Sequence, residues 1–156
     1  MFAVFDLDDT LRNSSHRRHF IIPPGQVYVE YTAINPPGDF KPDWDAFFAA
    51  SIDDPPIAAG MDLLKALYHA GHEIEIWTAA REDYRAETLD WLARNGVPDG
   101  LLTHMRPRDN YTKTVLLKEA WLLAHKPDII FDDHIGICQM ARRHGVYACA
   151  VGDNAY

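Results

Sequence analysis

From residue 57 onward, short apolar runs alternate with stretches that have the 3.6-residue period of an amphipathic helix. The strand-like runs are HEIEIWT (72–78), LLTHM (101–105), DIIFDD (128–133) and VYACAV (146–151). The helix-like stretches are 57–70, 82–95, 111–125 and 135–144. Strands that alternate with helices of this length form βαβ units around a mostly parallel sheet. The alternation therefore predicts an α/β fold.

The N-terminal part of the chain adds one more strand and then departs from this pattern. The apolar run FAVFDL (2–7) predicts a strand that is buried on both faces. Residues 12–56 hold seven of the ten prolines, and only 43–50 (DWDAFFAA) has a helical pattern there. We expect one domain over 1–156, a doubly wound five-stranded sheet, with 12–56 as a small cap-like insertion after strand 1.

Composition excludes several classes of protein. The net charge of −8 is unfavourable for a broad basic face that coats nucleic acid, although a local patch is compatible with gripping one end. Cys138 and Cys149 form no CxxC pair, so we expect ordinary free thiols. No apolar stretch has the length of a membrane span, and the N-terminus has no basic segment of a leader. These features favour a cytoplasmic protein without membrane contact.

Polar residues follow three of the predicted strands where each strand ends. They are Asp6, Asp8, Asp9 and Thr10 after the first, Thr78 and Arg81 after the second, and Asp132 and Asp133 after the fourth. The carboxyl ends of parallel strands meet at one edge of a sheet, where ligands bind. Aspartates that lie so near one another repel unless a cation offsets their negative charge. Mg²⁺ prefers carboxylate oxygens as ligands. The pattern predicts a magnesium site, with Asp9 a turn cap and Asp133 either a ligand or a group that orients Asp132.

The run DLDDT (6–10) resembles the DxDxT signature of haloacid-dehalogenase-superfamily phosphatases. Thr78 matches the second motif of that superfamily, and the acidic pair at 132–133 matches the fourth. Lys113 and Lys118 compete for the third motif, a lysine. All four motifs in order imply a doubly wound phosphatase fold.

Further segments are similar to the phosphatase domain of phage and bacterial polynucleotide kinases. They include SHRRHFI (15–21), KPDWDAFF (41–48), EDYRAETLDWLARNGVP (82–98), MRP (105–107) and the C-terminal FDDHIGICQMARRHGVYACAVGDNAY. In that family the lysine precedes an acidic or basic residue, which LLKE matches, so Lys118 is preferred over Lys113. The resemblance implies removal of a 3′-phosphate from a nucleic-acid end or nucleotide. No GxxxxGK[ST] run is present, so no kinase P-loop is expected.

The resemblance also implies roles for individual residues. Asp6 would be the nucleophile, and Asp8 would protonate the leaving oxygen and then activate water. Thr78 and Lys118 would hold the phosphoryl oxygens. Metal ligands are expected from Asp6, Asp8, Asp132 and Asp133. Substrate contacts are expected from Thr10, Arg17, Arg81, Arg85, Arg106 and His134, with Tyr28, Tyr31, Trp44 or Phe47 stacking on a base.

The family pattern is altered at several of these positions, and alternatives stay open. Asp9 stands where the family has glycine, the arginine after Thr78 is shifted by one place to Arg81, and His134 stands where arginine is usual. His134 is equally interpreted as an N-terminal residue of a helix. The run HRRH (16–19) is interpreted as a solvated stretch of charge or as a pair of histidines that binds a metal. A 5′-nucleotidase is the second enzyme hypothesis. A phospho-aspartate receiver, the non-enzyme hypothesis, carries its acidic pair on the first strand instead of the fourth.

Overall fold

The computed structural model describes residues 1–27 and 38–152 and contains one five-stranded sheet. The strands are β1 (Phe2–Phe5), β2 (Glu73–Arg81), β3 (Leu102–Arg106), β4 (Ile129–Asp132) and β5 (Tyr147–Ala150). Their order is β3-β2-β1-β4-β5, and every neighbouring pair is parallel. This confirms the predicted five-stranded α/β sheet.

Five α-helices accompany the strands in the described part of the chain. They are α1 (Trp44–Ala49), α2 (Ala58–His69), α3 (Arg85–Arg94), α4 (Thr114–His125) and α5 (Ile135–Arg143). Alternate residues of β1 face opposite layers, as the period of a strand requires. Ala3 and Phe5 pack in one apolar cluster with residues of α2 and α3, and Val4 packs in another with residues of α4 and α5. The sheet is therefore covered on both faces, and its strands are as apolar as such burial demands.

The strand order reverses between β1 and β4, which lie side by side at the centre of the sheet. The chain leaves β1 for β2 on one side, and β4 and β5 extend the sheet on the other. The Asp6 amide donates to the Phe131 carbonyl at 2.8 Å, so β1 and β4 stay joined to their carboxyl ends. Such a reversal leaves a crevice beyond the strand ends where ligands bind in open α/β sheets.

The segment 12–56 contains three short helical elements in its described part. A 3₁₀ helix spans Ser15–Phe20, and a second one, Ala50–Asp53, follows α1 directly. Asp43 caps α1 by accepting a hydrogen bond from the Ala46 amide. The segment closes at its base, because the Asn13 amide donates to the Pro55 carbonyl and the Ile57 amide to the Leu11 carbonyl.

All element boundaries match the sequence prediction within three residues, and differences of three residues occur in β2, α3 and α4. The prediction ended β2 at Thr78, but the strand continues to Arg81. The register of β2 against β3 shifts between Thr78 and Arg81, so an irregular ladder carries the strand through Ala79 and Ala80. The predicted start of α4 at residue 111 was also early, because the helix begins at Thr114. Among residues 1–27 and 38–152, no helix has the length and apolarity to cross a membrane.

Candidate active site

Asp6, Lys118 and Asp132 form a buried ionic cluster at the carboxyl edge of the sheet. Asp6 follows β1, Asp132 ends β4, and Lys118 projects from the second turn of α4. The Lys118 ammonium Nζ donates to Asp6 Oδ1 at 2.5 Å and to Asp132 Oδ2 at 2.7 Å. Lys113 is exposed at the N-cap of α4. The structure thus brings Lys118, and not Lys113, to the aspartates.

The charges of this cluster are strongly perturbed by burial. Burial opposes the charged forms, but Asp132 and Asp6 outweigh it at Lys118 and raise the pKa of its ammonium. Burial raises the pKa of Asp6, and the nearby Asp132 adds to the effect against the attraction of Lys118. Burial, then repulsion by Asp6 and Asp132, also raises the pKa of Asp133. Three carboxyl groups, those of Asp6, Asp132 and Asp133, surround one lysine, so the cluster has less positive charge than would balance the carboxylates.

The same carboxylates are arranged as a set of cation ligands. One oxygen each from Asp6, Asp132 and Asp133 lies within 4.8 Å of the others. Three carboxylate oxygens and no sulfur or imidazole are the donor set of a hard divalent cation. The residues present therefore fit such an ion, which would also offset the charge excess. Asp8 was predicted to bind the ion through its backbone carbonyl, and its carboxylate is not part of this group.

The two threonines predicted for the site, Thr78 and Thr10, are both buried. Thr78 is 1% exposed, and its Oγ1 accepts a hydrogen bond from the Ala80 amide at 3.1 Å. Thr10 is 2% exposed, and among the described residues its Oγ1 has no hydrogen-bond partner. A buried hydroxyl without a partner loses free energy unless a ligand or water satisfies it. Thr10 is therefore open to a hydrogen bond, and the Thr78 hydroxyl, which accepts from Ala80, keeps its O–H free to donate.

Asp8 is held by two buried arginines. Arg12 Nε donates to Asp8 Oδ1 at 2.6 Å, and Arg17 Nη2 donates to the same oxygen at 2.9 Å. Burial opposes the charged carboxylate, but Arg12 and Arg17 outweigh it and lower the pKa of Asp8 to about 2. Asp8 is therefore ionised at neutral pH. Its side chain stays 24% exposed, so it still reaches the solvent-facing side of the site.

Arg17 and Arg12 share a second carboxylate, Asp54. Arg17 Nε and Nη2 make a two-pronged contact with Asp54 at 2.7 to 3.0 Å, and the Arg12 Nε lies 3.3 Å from it. The guanidinium of Arg17 also lies over the ring of Phe47, 4.1 Å from its centroid. Arg17 was expected to contact substrate phosphate, but it is completely buried behind Asp8. Sequence reasoning missed Arg12 and Asp54, because Asp54 lies 37 residues beyond Arg17 with no pattern to connect them.

Replacing Arg17 with leucine is expected to destabilise the protein by about 3–5 kcal/mol, because Asp54 would keep a buried charge without its main partner. Equilibrium denaturation by urea measures the difference. Arg18→Ala is the matched control, because Arg18 is the neighbouring arginine but pairs with Asp9 while partly exposed. Equal stabilities of the two variants would show that the buried network contributes nothing beyond a surface ion pair.

Asp9 has the backbone conformation that glycine adopts most easily. Its φ angle is +62°, in the left-handed region. The carboxylate offsets this cost by accepting hydrogen bonds from the Ser14 amide and hydroxyl at 3.0 and 2.8 Å, and from Arg18 at 2.8 Å. Asp9 therefore acts as the turn former that the sequence indicated, and the family's glycine is replaced by a residue that is tied locally.

Solved structures with the same arrangement of strands identify the fold, although no family model and no curated protein matches the chain. One chain of the Pnkp1/Rnl/Hen1 complex has a TM-score of 0.71 at 18% identity, covering 99% of this chain. This chain spans just under half, 46%, of that protein's length. Hydrolase SP0104 of the haloacid dehalogenase-like family, from Streptococcus pneumoniae, has a TM-score of 0.58 at 16% identity. The two structures share 97% of this chain and 84% of that one. The chain has a haloacid-dehalogenase-like fold.

A class C acid phosphatase from Bacillus anthracis shares the haloacid-dehalogenase-like fold with this chain. Its TM-score is 0.59 at 18% identity, over 97% of this chain and 68% of that one. The resemblance predicted from DLDDT is thus confirmed for the fold. Receiver domains of the flavodoxin-like type have strand order 2-1-3-4-5, which differs from the order here. The receiver hypothesis is wrong on this topology.

Four other residues predicted to contact substrate each have partners of their own within the protein. Arg81 bonds Asp45 and Asp83, and Arg85 bonds Glu82. Arg106 donates to the carbonyls of Ala79, Asn110 and Thr112 and to the Thr114 hydroxyl, so it holds the loop before α4. His134 caps α5, because its Nδ1 accepts from the Gly136 amide. Arg81 and Arg85 have equal side-chain exposure, 35% in both cases.

The residues expected to stack on a base or to form a histidine metal pair are differently placed. Phe47 is buried in the core and Trp44 packs against it, while Tyr28 and Tyr31 lie outside the described residues. His16 Nε2 lies 2.7 Å from Asp54, and His19 Nδ1 lies 2.9 Å from the His16 carbonyl. These two rings thus contact different partners. Cys138 and Cys149 are free thiols, as predicted.

Proposed function

We propose that this protein is a Mg²⁺-dependent phosphomonoesterase that uses Asp6 as nucleophile and acts on a 3′-phosphate of a nucleic-acid end or nucleotide. The observation that carries the proposal is the contact of the Lys118 ammonium with both Asp6 and Asp132 at the crevice of a haloacid-dehalogenase-like sheet. A buried lysine orients the Asp6 carboxylate and attracts an incoming phosphate. Two of the solved structures with this fold are a class C acid phosphatase and a chain of the Pnkp1/Rnl/Hen1 RNA repair complex.

In the first step of the proposed reaction, a carboxylate oxygen of Asp6 attacks phosphorus and the leaving oxygen of the substrate departs. Lys118 neutralises charge on the phosphoryl oxygens, and the hydroxyls of Thr10 and Thr78 donate hydrogen bonds to them. Water then attacks the phosphorus of the aspartyl phosphate, releasing inorganic phosphate and restoring Asp6. Asp6, Asp132 and Asp133 would hold Mg²⁺, which lets the phosphate dianion approach the carboxylate.

Asp8 moves the proton in both steps of the proposal. As an ionised carboxylate it is ready to take a proton from the attacking water. To protonate the leaving oxygen it must first carry a proton, which its ion pairs with Arg12 and Arg17 oppose. The negative charge of a substrate phosphate close to Asp8 raises the proton affinity of its carboxylate. Arg12 and Arg17 are therefore proposed as positioning residues of the acid–base group.

The substrate assignment follows from the sequence resemblance and from the segment 12–56, which the chain enters directly after Asp8 and Thr10. Its described part is short and closed at its base, which favours an open site and a large substrate. Arg81, at 35% side-chain exposure, is proposed to contact a phosphate together with Arg85 at the same edge. The remaining predicted contacts, Arg106 and His134, act through the loop and helix that they hold.

Phosphate release measured with Mg²⁺ from four matched substrates tests this function. The substrates are a 3′-phosphate and a 5′-phosphate, each offered as a mononucleotide and as an oligonucleotide. Faster release from 3′-phosphates is the expected result. Release only from 5′-mononucleotides would replace the proposal with a nucleotidase, and release from none of the four would reject both. A Mg²⁺-free sample with chelator checks the requirement for the cation.

A further inference from the structure

Two histidines face each other on the α4 side of the sheet, away from the aspartate cluster. His104 lies on β3, and His125 is the last residue of α4. Their Nε2 atoms are 3.0 Å apart. His125 lies seven residues beyond Lys118, about 10 Å further along the helix axis from the proposed catalytic centre. The pair is thus separate from that centre.

The two imidazole rings do not meet head-on. Their centroids are 4.5 Å apart and their planes are inclined by 74°. A straight N–H···N bond would separate the centroids by the N···N distance plus the two distances from nitrogen to ring centre, which is more than observed. The two Nε2 atoms are therefore close together without forming a straight N–H···N bond. Two imidazole nitrogens on a tetrahedral zinc ion lie about 3.3 Å apart, which is close to the distance here.

The Nδ1 atom of His104, on the side of the ring away from His125, has the kind of hydrogen-bond partner that a metal-ligating histidine has. The Thr103 hydroxyl donates to Glu75 Oε2 at 2.7 Å, so towards His104 Nδ1, 2.9 Å away, it acts as acceptor. His104 therefore carries its proton on Nδ1, and its Nε2 keeps a lone pair facing His125. Glu75 Oε2 is 3.6 Å from the same Nδ1 and also accepts from Trp77. Ligating histidines donate their second N–H in this way to oxygen acceptors, which fix the tautomer and the ring.

The surroundings keep His104 neutral and the pair in place. Burial lowers the pKa of His104, and the neighbouring His125 lowers it further against the attraction of Glu75. Trp77 and Trp121 pack edge-on and tilted against His104, with ring centroids 5.2 Å away in both cases. His125 is exposed, so its side of the pair faces solvent.

We propose that His104 and His125 form a second metal site, which binds Zn²⁺ or a similar divalent transition metal through their two Nε2 atoms. Water completes the coordination, because the carboxylate of Glu75 is taken up on the opposite side of His104. Imidazole ligands select zinc, copper or nickel, whereas the all-carboxylate set at the sheet edge selects a harder cation. The bound ion would tie β3 to the C-terminal end of α4.

Calorimetric titration of Zn²⁺ into the protein tests this site, with millimolar Mg²⁺ present to occupy the carboxylate cluster. One Zn²⁺ is expected to bind the unaltered protein, and His125→Ala is expected to abolish that binding. Because His125 is exposed at a helix end, this variant keeps its fold, which circular dichroism checks. His144→Ala is the matched control, since His144 is another surface histidine paired with one carboxylate, Glu119. It should bind Zn²⁺ as the unaltered protein does.

A second variant and a spectrum separate this site from the acidic cluster. Glu75→Gln keeps both histidines and should weaken Zn²⁺ binding by roughly 10-fold or more. Bound Cu²⁺ should show electron paramagnetic resonance coupling to two nitrogens, which carboxylate ligands cannot produce. Unchanged Zn²⁺ binding by the His125→Ala variant would overturn the proposal. So would a result in which Asp132→Asn is the one variant that loses Zn²⁺ binding. Absence of any Zn²⁺ binding by the unaltered protein would overturn it as well.

Discussion

Asp6→Asn is expected to lower phosphate release by at least about 10³-fold, because an amide oxygen does not form the covalent intermediate. Protein stability should move in the opposite direction. The substitution removes one of three buried carboxylates that repel one another, so the Mg²⁺-free variant should unfold at an equal or higher urea concentration. Phosphate release and urea denaturation, measured on the same preparation, separate loss of chemistry from loss of fold.

Asp53→Asn is the control for this result. Asp53 is exposed at the end of a 3₁₀ helix, outside the crevice, and its substitution should leave phosphate release within about twofold of the unaltered protein. If Asp6→Asn retained most of the activity, a nucleophile other than Asp6 would carry the reaction. If it lost activity and also unfolded in mild urea, the assignment of Asp6 as an isolated nucleophile would be unsupported.

Lys118→Met is expected to have the second large effect, on both activity and stability. Methionine fills a similar volume but leaves Asp6 and Asp132 without the ammonium that bonds both. Activity should fall by about 10²–10³-fold, as it does when one donor to a developing oxyanion is removed. Without a divalent cation, stability should also fall by about 3–5 kcal/mol, because a buried charge pair loses one partner.

The Mg²⁺ dependence of the Lys118→Met variant distinguishes an electrostatic role from ordinary packing. Added Mg²⁺ should raise the melting temperature of the variant more than that of the unaltered protein, because the cation replaces part of the lost positive charge. Lys113→Met is the control, since Lys113 is exposed at the N-cap of the same helix. A Mg²⁺ response that is the same in all three proteins would contradict the electrostatic role.

The fold and the centre of the site were predictable because both are encoded in local patterns. Apolar runs and helical periods are read over a few residues, and they indicated all five strands. Asp6 and Asp132 follow apolar strands, and parallel strands bring such ends together whatever the intervening chain. Lys118 was identified through the LLKE run, and in the structure it lies between these two aspartates.

The residues around Asp8 were not predictable, because they meet through packing of distant segments. Nothing near Arg17 in the sequence indicates that its partner is Asp54, or that Phe47 lies against its guanidinium. A stretch with two arginines and two histidines is typical of an exposed charged surface, yet Arg17 is completely buried. The pattern of charged residues alone does not show how deeply a side chain of a short 3₁₀ helix is buried, or whether it points to the core or to solvent.

The closed base of segment 12–56 allows the length of this segment to vary. Backbone hydrogen bonds join Asn13 to Pro55 and Leu11 to Ile57, so both ends of the segment leave the sheet from one fixed point. Each doubling of a loop's length costs only about 0.6 kcal/mol in closure entropy once its ends are joined. Longer or shorter versions grafted onto this anchor would thus leave the aspartates in register, provided that Arg17 and Asp54 are kept. If the proposed function is correct, the chemistry at the aspartates and the choice of substrate would change independently of each other.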